Sequence, residues 1–149
     1  MLAWYLQRLA AFGCLGFIIE VIFTGSKSVL RGHYDAPART YLPCFFVYGT
    51  GGMLLEKLDS TISWNIFLKA IPFTGAIFAV EFIFGLVLIQ WLGLRLWKYT
   101  IEETGEEIHR FSILGLVRVD YAVYWYGLSV LFIYFSPRIK VFMNVLSRL

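Results

Sequence analysis

Between Lys69 and Arg95 the chain carries a single ionisable side chain, Glu81, within the run "AIPFTGAIFAVEFIFGLVLIQWLGL". A bilayer's hydrocarbon core asks for about 20 consecutive apolar residues. A helix that is apolar all round needs either lipid or a large protein core to cover it. A chain of 149 residues makes one domain and has no such core to offer. The run therefore predicts a membrane-spanning helix. Composition agrees: 59% of residues are hydrophobic and 15% charged, with a mean hydropathy of +0.71. Soluble domains carry roughly 25% charged residues. The aromatic share of 19% suits bilayer interfaces, where Trp and Tyr place a ring beside a wet edge.

Four segments are apolar enough to cross: Trp4 to Gly25, Tyr41 to Leu58, Trp64 to Gly93 and Phe111 to Phe135. The second is short. The third is long and is expected to tilt, or to begin as an interfacial turn near Pro72. Backbone in lipid must satisfy its own hydrogen bonds, and no alternating barrel pattern is present, so the segments read as helices. The expected fold is an all-α, polytopic four-helix bundle over residues 1–136. A basic tail over 137–149 follows, in which Ile139, Phe142, Leu146 and Leu149 form one face and Arg138, Lys140 and Arg148 supply charge. It reads as a short amphipathic helix lying on an anionic leaflet. The first segment reads as a retained span, because Gln7 and Arg8 interrupt it and no small-residue cleavage site follows. Basic residues divide evenly between the two sides; the basic tail and the acidic "EETGEE" loop favour termini in the cytoplasm of a bacterial inner membrane.

Residues at i, i+3 and i+7 share a helical face. Gly13, Gly16 and Glu20 form such a stripe on the first helix, and Gly49, Gly52 and Glu56 repeat it on the second. In an antiparallel hairpin Gly16 falls level with Gly49 and Gly13 with Gly52, so the strips are expected to face each other and let two backbones approach. On the third helix Glu81 shares a face with Thr74, Phe78 and Gly85. Arg118 and Asp120 are expected a turn or two inside the fourth, followed by Tyr121 and Trp125. A charge at the bilayer centre costs roughly 2.5–3.5 kcal/mol, so Glu81 is expected to face protein or water. Depth makes Glu20 and Arg118 candidate partners, and a neutral Glu81 hydrogen-bonded to Thr74 or Tyr48 is a further expectation. Four acids (Glu20, Glu56, Glu81, Asp120) face one base, Arg118, at membrane depth. Two readings stay open: a path for protons, cations or a cationic substrate, and a hydrogen-bonded core that pins helices to one another or to a partner subunit.

Other classes are disfavoured. No basic-aromatic block suggests nucleic acid. Cys14 and Cys44 sit in apolar runs and read as small fillers rather than a disulfide. His33 and His109 have no zinc spacing, so neither metal nor cofactor is expected, and no nucleophile stands beside a base as an enzyme would require. No "GxxxxGK[ST]" loop occurs, so this chain is not expected to bind ATP.

The ordered motifs "GFIIE", "RG" at Arg31 and Gly32, "PCFFVYG" with Pro43, Tyr48 and Gly49, "EFIFG" and "GLVRVDYAVYW" resemble the type IV ABC-transporter permease family (the CmpB-like proteins) and its eukaryotic four-helix membrane relatives. The resemblance runs over most of the chain. It implies a bundle with acids on the first and third helices and permease-like transport, as an oligomer or as the membrane subunit of a larger complex. The family's Trp-Asp-Tyr motif stands here as Trp97-Lys98-Tyr99, without the acid. The rival expectation is a passive membrane scaffold that binds partner proteins or organises lipid.

Overall fold

The computed structural model describes residues 2–97, 104, 106 and 111–146. Lys98, Tyr99, most of the acidic loop, His109 and the tail residues Arg148 and Leu149 lie outside them. The described elements are α1 (Leu2–Leu30), α2 (Leu42–Thr61), α3 (Ile66–Leu92), a hairpin of β1 (Ser112–Ile113) and β2 (Val117–Arg118), a 3-10 turn (Val119–Tyr121) and α4 (Ala122–Leu146). The chain divides into two compact units, one of residues 1–53 with 143–149 and one of residues 54–142.

Among the described residues three helical stretches are long and apolar enough to cross a membrane: Leu2–Leu30, Ile66–Leu92 and Val119–Val145. α2 has 20 residues, but its last turns carry Glu56, Lys57 and Asp59. Any window of spanning length includes all three charges, which separates it from the other helices. Exposed side chains such as Ile22, Leu68, Ile71 and Trp91 leave far more apolar surface open than a soluble chain tolerates. The protein is a helical membrane protein.

In the first unit α1 packs on α2 through its glycines, in a register that differs from the expected one. The strips share one interface, but the atoms nearest each glycine belong to larger residues of the other helix rather than to the glycine expected opposite. A Cβ built on Gly13 would stand 2.7 Å from the Phe45 ring, and one on Gly16 would strike Tyr48. On α2, a Cβ at Gly49 would meet the Leu9 carbonyl oxygen at 2.7 Å, and one at Gly52 would strike Phe12. Each glycine thus receives a large side chain or a carbonyl from the other helix, and the strips interleave about one turn from the expected level. Gly32, at φ 89°, ends α1: His33 N donates back to Ser28 O and Gly32 N to Val29 O, the left-handed closure that glycine favours. Arg31 is exposed beside it. Cys44 is fully buried, whereas Cys14 is exposed rather than a core filler.

In the second unit α3 is framed by two caps. Asn65 Oδ1 accepts from Phe67 N and Leu68 N, both at 3.0 Å, filling two of the donors a helix start leaves open. Gly93, at φ 63°, closes the other end through Gly93 N to Ile89 O and Leu94 N to Leu88 O. The helix runs through Pro72 rather than starting there, so the Leu68 carbonyl loses its usual helical donor.

The fourth span begins later than expected. Residues from Phe111 to Tyr121 form the hairpin and the 3-10 turn, with Ser112 opposite Arg118 and Ile113 opposite Val117. Leu114 and Gly115 turn with positive φ, 52° and 65°, and Leu116 N closes the turn onto Ile113 O at 2.9 Å. Two positive φ angles in succession mark the hairpin turn whose twist matches its strands. Leu116 and Val117 are buried, and Leu116 Cδ2 stands 3.1 Å from where a Gly85 Cβ would be. The expected tail helix is helical as far as described, but it is continuous with α4, which passes through Pro137 to Leu146.

Candidate functional site

Glu81 is the one acid among the expected residues that is buried, at 8% exposure, on the highly apolar α3. Thr74, two turns earlier on the same face, donates its only proton to Ala70 O at 2.8 Å. A hydroxyl in a helix has its own i−4 carbonyl within reach. Thr74 Oγ1 also lies 3.5 Å from Ser129 Oγ of α4, and Ser129 in turn donates to Trp125 O at 2.8 Å. The indole Nε1 of Trp125 is buried and finds no hydrogen-bond acceptor among the described residues.

Glu20 and Arg118 belong to different units, and each has a polar partner within its own. In the first unit Glu20 Oε2 accepts the Thr40 hydroxyl at 2.6 Å, while Thr24 Oγ1 accepts from Arg39 N at 3.3 Å, so the connection after α1 folds back along the helix. In the second unit Arg118 sits on β2, ahead of α4 rather than inside it. Its Nε and Nη2 grip the two oxygens of Asp120 at 3.1 and 2.5 Å, and its guanidinium lies 4.5 Å from the Tyr121 ring centre. Two residues of spacing across a strand-to-turn boundary bring acid and base together locally, which depth alone does not reveal. Tyr121 meets Tyr124 edge to face at 5.7 Å. Tyr48 fills the space over Gly16. Glu56 is half-buried on α2.

Sequence reasoning missed the densest charge cluster in the described residues. Asp59, in the last turn of α2, receives Lys69 Nζ on Oδ1 and Lys140 Nζ on Oδ2, both at 2.5 Å. The Ser136 hydroxyl donates to the same Oδ2, and Lys69 Nζ also donates to Asp59 O at 2.9 Å. Burial alone would push the Asp59 carboxyl up. The hydrogen bonds from Lys140, Lys69 and Ser136, with the Lys69 charge, outweigh it and hold the group below its usual range. In the sequence Asp59 falls in the polar stretch "DSTIS" and Lys69 at the edge of the apolar run, with nothing local to pair them. The available signal was an acid in the last turn of one helix followed ten residues later by a lysine one turn into the next. Arg8 was missed too: it is buried at 5% exposure in the first unit, 4.0 Å over the Trp4 ring and 3.5 Å from Asn144 Oδ1.

The arrangement supplies an ionisable group inside an apolar helix and a clamped ion cluster at a helix junction. No solved structure matches the chain. A family model described as "Putative ABC-transporter type IV" matches residues 8–148. The motif order, the apolar helices and this near full-length match together place the chain in that ABC-transporter type IV family.

Proposed function

We propose that the protein is the permease-type membrane subunit of a transport assembly, folded as a bundle of four crossing helices, with Glu81 as the intramembrane acid that takes up and releases a proton or cation. The observation that carries this reading is the burial of Glu81 at 8% exposure in the apolar middle of α3. An acid at bilayer depth is costly and is kept where it has work to do. Lacking a phosphate-binding loop, the chain would draw energy from an ATP-hydrolysing partner or from an ion gradient. The subunit self-associates or joins a larger complex in a bacterial inner membrane, with both termini in the cytoplasm. Proton and monovalent-cation flux in reconstituted vesicles tests this: Glu81→Gln lowers flux and leaves assembly intact.

A second reading, a non-transporting scaffold, is favoured by the interleaved glycines of α1 and α2, which serve close packing alone. Under it Glu81→Gln leaves function unchanged and Gly16→Leu disrupts the assembly.

A further inference from the structure

The Asp59 cluster is not charge-balanced. Two ammonium groups converge on one carboxylate, and among the described residues each has Asp59 as its ion-pair partner. Lys69 is spent: its side chain is 10% exposed and its donors go to Asp59 Oδ1 and the Asp59 carbonyl. Lys140 is not. Its side chain is 35% exposed, and an ammonium has three protons to give, of which Asp59 takes one.

An open apolar surface lies at the start of α3, the helix whose Lys69 shares the Asp59 carboxylate with Lys140. The first two turns of α3 carry Lys69 and, on the flank beside it, an open groove lined by Trp64, Leu68, Ile71 and Pro72. Trp64, Leu68 and Ile71 are 62%, 53% and 60% exposed. Depth fits as well. A helix of 27 residues is about 40 Å long against roughly 30 Å of hydrocarbon, so its first three or four residues stand at head-group level. That level includes Lys69, and the exposed Trp64 ring precedes it where interfacial tryptophans belong.

We infer that an anionic phospholipid docks at this corner, its phosphate on the partly exposed Lys140 ammonium and an acyl chain along the Trp64–Leu68–Ile71–Pro72 groove. The phosphate balances the second lysine, and the chain covers an apolar trough that bulk lipid would fill less tightly. This site is separate from Glu81 and does not depend on the transport reading.

The experiment is native mass spectrometry of the detergent-purified full chain titrated with phosphatidylglycerol and with phosphatidylcholine of the same acyl chains. One lysine at a membrane surface corresponds to about fivefold in affinity, so wild-type protein is expected to prefer phosphatidylglycerol by about that factor or more. Lys140→Gln is expected to abolish the preference, while Lys57→Gln keeps it. Equal affinity for the two lipids, or a preference that survives in Lys140→Gln, overturns the proposal. So does competition by inorganic phosphate as effective as by the whole lipid, which would make this a site for a free anion. Dimerisation through the groove that excludes both lipids overturns it too. The comparison of lipids and phosphate on wild-type protein stands even if Lys140→Gln fails to fold.

Discussion

Lys140 Nζ lies 2.5 Å from Asp59 Oδ2, so the part of α4 beyond Pro137 is tied to the last turn of α2 within the second unit. Lys69 holds the other oxygen of the same carboxylate at the same distance. The contact explains why the C-terminal segment continues α4 although a proline interrupts it. The proline removes one backbone hydrogen bond, and the Ser136 and Lys140 bonds to Asp59 on either side hold the backbone on course.

Replacing the shared carboxylate strands both lysines. Asp59→Asn is expected to lower unfolding stability by about 3 kcal/mol, the scale for removing one partner of a buried ion pair. Lys140→Gln is expected to cost about 1 kcal/mol or less, because its side chain is partly solvated and Lys69 still neutralises Asp59. Thermal or denaturant unfolding in detergent measures both.

The depressed Asp59 carboxyl also sets an acid limit. A group whose folded value lies below its unfolded value, about 3.9 for Asp, contributes stability that is complete above the unfolded value. That stability is lost as pH falls through the folded one. Wild-type melting temperature should therefore fall as pH drops below about 4, and Asp59→Asn should lose that part of the acid slope. Melting curves between neutral pH and about pH 2 show whether the two profiles converge at the acid end.

The glycines of α1 and α2 differ sharply from those elsewhere. Gly49→Leu drives a side chain into the Leu9 carbonyl, and backbone cannot step aside. A loss of about 2–3 kcal/mol is expected from such overpacking. Gly75 has nothing within 4 Å of a Cβ position, so Gly75→Ala should be neutral or raise stability by up to about 1 kcal/mol through helix propensity. Parallel unfolding of the two variants gives the contrast.

The hairpin before α4 contains its own strain. Leu114 adopts φ 52°, a region costly for a side chain with a Cβ. Leu114→Gly is expected to stabilise by up to about 1 kcal/mol, while Gly115→Val, forced into φ 65°, destabilises by more. Unfolding midpoints of both variants, read against wild type, give the two signs.

How far the sequence reveals this architecture depends on the range of each interaction. The apolar runs locate α1, α2 and α3, whereas α1 continues beyond the expected Gly25 to Leu30, because the turn that closes it lies at Gly32. The start of α4 does not, because "FSILGLVRV" is as apolar as a helix would be and only the turn at Leu114 and Gly115 diverts it. Burial of Glu81 follows from its cost in lipid. The glycine register slipped by a turn because loop-based depth fixes a helix pair only to within the reach of Phe45, Tyr48 and Phe12. The Asp59 cluster stayed hidden because Lys140 lies 81 residues from its partner, and nothing local announces such a pairing.

Glu81 is proposed to carry the transported charge. The decisive measurement is proton and cation flux in vesicles holding equal amounts of folded wild-type, Glu81→Gln and Glu81→Asp protein. At least a tenfold fall in Glu81→Gln is expected, with Glu81→Asp retaining flux at a shifted pH profile. Undiminished flux in Glu81→Gln would contradict the account.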